Sequence, residues 1–262
     1  MAIRNKNRAG PSSRDWDPVA DWYTGWTGAE GSEHHRRLAI PALLELLRPE
    51  PGEHVLDVGC GPGVLAPHVA RAGARYTGVD AGRRMLAFAR RHHGGHGRFL
   101  LGDATRLGEL PGLEAASFDA AVFLLSIQDI DPLDDALASA AWALGGGGRV
   151  VLLMTHPCFR VPRQSGWGWD PGRRLRFRRV DRYLTPLEVP MKPYGGDRRG
   201  ATRSYHRPLG AYVNGLAAHG LLADAVQEIP THREAPPGPR ARAERLAGRE
   251  IPLFLGLRAV KR

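Results

Sequence analysis

At 262 residues the chain has room for one α/β domain with an insert. Its hydrophobic content of 42% suits a globular fold, and no apolar run approaches the ~18 residues that span a bilayer, so no transmembrane helix is expected. The formal charge of +10 invites a nucleic-acid reading, but residues 158–207 hold 13 Lys and Arg against 4 Asp and Glu, and residues 231–262 hold 8 against 3, which leaves the remainder slightly acidic.

The first fifteen or so residues read as a tail, and MAIRNKNRAGPSSRDWDP lacks the apolar core of a signal peptide, which predicts a cytoplasmic protein. Two cysteines, Cys60 and Cys158, form neither a disulfide framework nor a zinc set. Residues 34–48 read as a helix kinked at Pro41. From there a β-branched run entering a Gly-rich turn (54–61) and strands at 75–81, 98–104, 118–127 and 149–156 alternate with helices at 63–73, 82–95 and 131–148. That alternation implies a parallel sheet with right-handed crossovers. The rhythm stops at Pro157, which cannot donate to a sheet ladder. Residues 158–207, rich in Arg, Pro, Gly and aromatics, show no sustained period and read as an insert over the sheet edge. A helix at 208–220, a strand at 221–230, a Pro- and Arg-rich connection at 231–250 and a last strand complete the chain.

The strongest chemical signal is VLDVGCGPG (55–63). A strand entering glycines and then a helix lets backbone pass close beneath a ligand. The glycines Gly59, Gly61 and Gly63 are spaced G-x-G-x-G, not the G-x-G-x-x-G that seats a pyrophosphate. Asp57, two places earlier, would repel a phosphate and suits an ammonium group. Asp80 ends the second strand, where a carboxylate can take both hydroxyls of a ribose. Asp103 ends the third, placed to accept from an exocyclic amine. Ribose, adenine, ammonium and no phosphate describe S-adenosylmethionine (SAM), with S-adenosylhomocysteine as its product.

Over residues 34–157, VLDVGCGPG, GVD, GDA, FDAAVFLLSIQDI and GGGGRVVLL, in this order, resemble the class I SAM-dependent methyltransferases. The resemblance implies a Rossmann-like, seven-stranded, mainly parallel sheet whose last strand is antiparallel. It implies that Gly59, Gly61 and Gly63 line the methionine portion, with Asp57 near its amino group. It assigns Asp80 to the ribose, Asp103 with Ala104 to the adenine, and Leu124 to Ser126 to the wall beside the sulfonium. Residues 1–33 then form a tail and lid segment, 34–157 the SAM-binding core, 158–207 the insert and 208–262 the completion of the sheet. HPCF (156–159) and HRPL (206–209) resemble segments of a bacterial small-molecule subset of that family.

His156 and His206, at the two ends of the insert, are candidate catalytic residues. Each has two readings: a base or orienting group at the substrate mouth, or a side chain bonded to its own surroundings. Tyr23, among the aromatics Trp16, Trp22 and Trp26, is a candidate contact to cofactor or acceptor if its segment closes as a lid, and a docking residue otherwise. His92, His93 and His96 read as solvated imidazoles, not a metal site. Cys158 has no neighbour in sequence to activate it. The acceptor is expected to be a small planar or anionic molecule under the aromatic, Arg-rich insert. RNA is an alternative, using Arg for phosphates and rings (Phe159, Trp167, Trp169, Phe177, Tyr183, Tyr194, Tyr205) for stacking. A non-catalytic SAM-binding regulator is another. The acceptor atom, O, N or C, and the oligomeric state are left open.

Overall fold

The computed structural model describes residues 16–191 and 202–262; the N-terminal tail and Tyr194 lie outside them. Five strands build the parallel core: β1 (His54–Val58), β2 (Arg75–Asp80), β3 (Arg98–Leu101), β4 (Phe118–Leu124) and β5 (Leu144–Thr155). β1 pairs with β2 and β4, β2 with β3, and β4 with β5, all in parallel. The helices of this region are α1 (Ala20–Thr27), α2 (Ile40–Leu47), α3 (Ala66–Arg71), α4 (Arg83–His93) and α5 (Leu133–Ala143).

Strands covered on both faces read as continuous apolar runs, and their alternate residues enter opposite layers. Val55, Ala120, Val122, Val151 and Leu153 pack toward Leu43, Leu47, Val69 and Leu86 of α2, α3 and α4. Leu56, Val58, Ala121, Phe123 and Leu152 pack the other way, against Leu137 and Ala140 of α5. Each fully buried side chain of this size contributes about 1.5–3 kcal/mol, so the sheet edge that carries the site is a rigid platform.

Beyond the core come β6 (Ser165–Asp170), β7 (Leu175–Val180), β8 (Leu187–Met191), β9 (Thr202–His206), α6 (Leu209–Ala218), β10 (Leu221–Ile229), α7 (Ala241–Glu250) and β11 (Phe254–Lys261). The main sheet has the order β10-β11-β5-β4-β1-β2-β3. β11 runs antiparallel to both β10 and β5, the expected arrangement of the last strand.

Four local expectations are corrected. The helix read through 148 stops at Ala143, and the glycine run belongs to the start of β5, where pairing with β4 shifts register. The kink at Pro41 takes the form of a wide π-helical turn over His35–Ala39, one residue short of the position that lacks an N–H. The described part of the insert forms two antiparallel hairpins, β6 with β7 and β8 with β9. The connection read across 231–250 contains α7, whose buried residues are Ala241, Ala243 and Ala247.

Candidate active site

The cleft lies at the C-terminal ends of β1, β2, β3 and β4, and encloses about 940 Å³ counting its open mouth, within the ~300–1,000 Å³ of small-molecule sites. Its floor is the turn after β1. The N–H groups of Gly59 and Cys60 both donate to the Val79 carbonyl, at 2.8 and 3.1 Å, which ties the turn to β2. A Cβ on Gly59 would lie 2.6 Å from the Ser126 Cβ, so only glycine allows β4 to close against the turn. Ser126 completes that closure by donating its hydroxyl to the Val58 carbonyl at 2.6 Å. Gly61 faces open space instead.

Asp80 lines the cleft and accepts the Gly61 N–H at 2.8 Å and the Gly82 N–H at 2.7 Å, one on each carboxylate oxygen. Burial pushes its pKa up and these backbone donors oppose the rise. Asp103, also in the lining with Ala104, takes the N–H and hydroxyl of Thr105 on Oδ1, at 2.9 and 2.8 Å. The opposite wall is Leu124, Leu125, Ser126, Asp129 and Ile130. Leu125 holds a left-handed backbone at φ +55, a conformation that non-glycine residues keep only where the surroundings enforce it.

Trp16 and Tyr23 line the cleft from the N-terminal segment, with rings edge to face at 5.2 Å, while Trp22 and Trp26 stack on each other and Trp26 is 55% exposed. The segment is fastened from outside the cleft. Asp17 accepts the Arg84 N–H at the start of α4 at 3.0 Å, Asp21 pairs with the Arg84 guanidinium, and His93 bonds the Ala29 carbonyl at 2.9 Å. His93 is therefore buried rather than solvated.

Several candidates lie elsewhere. Asp57, 1% exposed, sits outside the lining; the Tyr76 hydroxyl donates to Oδ2 at 2.8 Å, Oδ1 has no hydrogen-bond partner among the described residues, and burial pushes the carboxyl up to about 7. Gly63 is a packing position: a Cβ there would meet the Phe99 ring at 2.7 Å. His156 and His206 do not line the cleft, which corrects the expectation that the insert brings two histidines to one mouth. The Cys158 N–H donates to His156 Nδ1 at 3.2 Å, so the ring proton is on Nε2 and points to Glu228 at 2.8 Å. With both nitrogens engaged and the residue 2% exposed, His156 has no free lone pair for a substrate. His206 donates from Nε2 to the Tyr183 carbonyl at 2.7 Å. Cys158 contacts the Tyr183 hydroxyl at 3.4 Å.

Two titratable lining residues, His35 and Asp129, escaped the sequence analysis. His35 bonds Ser32 at 2.8 Å, and burial and His34 lower its pKa to about 4. Asp129 is pushed up by burial to about 7, with Ser204 and Arg207 opposing. Its signal was the acidic residue in Ser126-Ile127-Gln128-Asp129. Among the described residues, Asp80, Asp103 and Asp129 line the cleft, and no Lys or Arg does.

A methyltransferase domain family matches residues 56–152. Among curated proteins the chain is 32% identical over 216 residues to a ubiquinone biosynthesis O-methyltransferase of Methylocella silvestris, covering 71% of this chain and 83% of that one. It is 36% identical over 127 residues to a demethylmenaquinone methyltransferase of Tropheryma whipplei, spanning 49% of that protein's length. A solved structure of an S-adenosylmethionine-dependent methyltransferase from Mesorhizobium loti superposes with a TM-score of 0.67 at 27% identity, covering 89% of this chain and all of the other. The chain belongs to the class I SAM-dependent methyltransferases. The cofactor of this methyltransferase is SAM, and the cleft suits it. Carboxylates stand at the ends of β2 and β3, Gly61 leaves open backbone beneath, and a buried carboxyl oxygen nearby lacks a hydrogen-bond partner among the described residues. Three acidic side chains without a basic one favour a cationic sulfonium and release a neutral thioether more readily.

Proposed function

We propose that this methyltransferase moves the methyl group of SAM to a small, planar, uncharged acceptor held inside the cleft. One observation carries the proposal: Trp16 and Tyr23 of the chain itself line the same cleft as Asp129, Ile130 and the strand-end carboxylates Asp80 and Asp103. An acceptor must enter that cleft, which suits a small ring better than a polymer. The names of the Methylocella and Tropheryma relatives, which concern ubiquinone and menaquinone, point the same way. The absence of Lys and Arg from the described lining weighs against the anionic acceptor expected from the insert.

SAM supplies an electrophilic methyl carbon on a good leaving group, so the protein's task is mostly positioning. Gly59 and Gly61 offer backbone beneath the methionine portion, and the buried Asp57 carboxyl under that turn favours its ammonium through charge without touching it. Asp80 holds the ribose, Asp103 with Ala104 the adenine, and Leu124 to Ser126 flank the sulfonium. Gly63 serves by letting the turn pack on Phe99. The RNA alternative draws less support, because the insert's indoles are already covered. Guanidiniums of Arg160, Arg176 and Arg178 lie 4.4–5.3 Å from the Trp167 ring, and Arg240 lies 4.6 Å from Trp169.

The test is to incubate the protein with SAM labelled in its methyl group and a cell extract, then separate small molecules, RNA and protein. Label in the small-molecule fraction is expected. Label in RNA, with binding that weakens steeply as salt rises, would replace this reading, and no label anywhere would favour a SAM-binding regulator.

A further inference from the structure

The turn after β4 is held with more care than a wall requires. Leu125 donates its N–H to the Leu153 carbonyl at 2.7 Å and turns the chain, and the Asp129 N–H closes on the Ser126 carbonyl at 2.8 Å. From the insert side Arg207, 7% exposed, spreads its guanidinium over three acceptors of the same turn. These are the carbonyls of Ile127 at 3.3 Å and Ile130 at 2.7 Å, and the carboxylate of Asp131 at 2.8 Å. Ser204 of β9 lies beside Asp129 and favours its charged form against burial. The turn that carries Asp129 into the cleft wall is thus clamped by Arg207, 76–80 positions away in sequence.

We propose that Asp129 is the general base of the transfer, acting on a neutral hydroxyl of the acceptor, with Ser204 and Arg207 as its positioning residues. The assignment rests on the small-molecule reading above and deepens it by naming the acceptor class. The acceptor's O–H bond breaks and its proton passes to a carboxylate oxygen of Asp129. The electron pair left on the acceptor oxygen forms the bond to the methyl carbon, and the pair of the broken carbon–sulfur bond leaves with sulfur as a neutral thioether. No further reagent is needed.

The competing groups are poorly placed or poorly tuned. His156 is bonded at both nitrogens outside the lining, and His35 is too weak a base. The Tyr23 phenol is pushed up by burial and by the charges of Asp129 and Asp80, so it stays protonated and can donate. Around Asp129 the charged and titratable groups are Tyr23 on α1, on which Asp80 at the end of β2 also acts, Arg207 with its partner Asp131, and Tyr212 on α6. Only Arg207 among them is cationic, so burial dominates and the carboxyl titrates near the pH at which it would work. A phenol or enol hydroxyl, with a pKa near ~10, lies within reach of such a base; an aliphatic alcohol does not.

The test uses the full chain with S-adenosylhomocysteine bound. Carboxyl ¹³C NMR of aspartate-labelled protein should show one resonance, missing in Asp129→Asn, that titrates near neutrality. Ser204→Ala should move that titration to higher pH, because a polar neighbour that favours the charged form is lost. If the resonance removed by Asp129→Asn titrates in the ordinary range around ~3.5, the assignment is overturned. As a second readout, Asp129→Asn should lower transfer from labelled SAM by about 100-fold or more, while affinity for S-adenosylhomocysteine stays within about two-fold. Transfer kept within about three-fold of wild type would also overturn it. Should wild type label RNA instead of small molecules, the acceptor reading fails, and the same ratio on that fraction still judges Asp129.

Discussion

Gly61 and Gly63 stand two residues apart in one turn and answer to different demands. At Gly63 the backbone holds φ +77, and an added Cβ would lie 2.7 Å from the Phe99 ring and 3.1 Å from Ala89. A left-handed alanine costs about 1–2 kcal/mol, and overpacking adds about 1–3 kcal/mol. Gly63→Ala is therefore expected to lower unfolding stability by about 2–5 kcal/mol, read as a fall in the urea midpoint. At Gly61 nothing lies within 4 Å of the added atom, and the residue lines the cleft. Gly61→Ala should cost only the backbone term, about 1–2 kcal/mol, while a methyl group in the cofactor's path weakens SAM binding by about 10-fold or more in calorimetry. Equal effects of the two variants on stability and on binding would show that this division between packing and ligand is wrong.

At the scale of elements, the hairpin of β6 and β7 is fastened by arginine. Arg178 donates from Nε to the Phe159 carbonyl at 2.7 Å and from its terminal nitrogen to the Ser165 hydroxyl at 2.8 Å, with its guanidinium 5.3 Å from the Trp167 ring. Lysine cannot reproduce that fork. Both Arg178→Ala and Arg178→Lys should expose residues 165–180 to limited proteolysis while S-adenosylhomocysteine affinity holds; protection equal to wild type would mean that the hairpin docks by other contacts. These elements explain what the sequence made legible. β1, β4 and β5 are covered on both faces and read as apolar runs, and the turn at 59–63 announces itself because steric closure demands glycine. The helix α7 hid because its buried side chains are Ala241, Ala243 and Ala247, too small to mark a face. The hairpins hid because arginines occupy positions where their stems pack and their heads bond carbonyls. Asp80 and Asp103 were legible from strand ends alone. Asp129 was not, since Ser204 and Arg207 reach it only through the fold, and Glu228, 72 residues from His156, decides what that imidazole is doing.

The whole molecule carries +10, yet the cleft walls are acidic, and the two facts separate by pH. Asp57 and Asp129 titrate at about 7 in the folded protein against ~3.9 in an unfolded chain. Between these values the folded state holds protons that the unfolded state has released. Their contribution to stability is full below pH ~4, declines as pH rises toward 7, and is flat above, by at most about 1.4 kcal/mol per pH unit for each group. His35, lowered to about 4, works in the opposite sense between ~4 and ~6.5. Differences between wild type and a single variant isolate each group. Asp57→Asn removes one falling term, so without ligand the wild type should lose stability relative to this variant from pH 5 to 7. In the proposed placement SAM carries its ammonium over the turn above Asp57 and its sulfonium into the cleft with Asp129, which favours the charged carboxylates, so protons leave as it binds. Its affinity should rise by about 10- to 30-fold from pH 5.5 to 8, and calorimetry in buffers of different ionisation enthalpy should show proton release below neutrality. Asp57→Asn should flatten that rise. An affinity constant within about three-fold across the range would mean that the carboxyls are already charged in the free protein, and that burial of Asp57 is compensated by a group other than the cofactor.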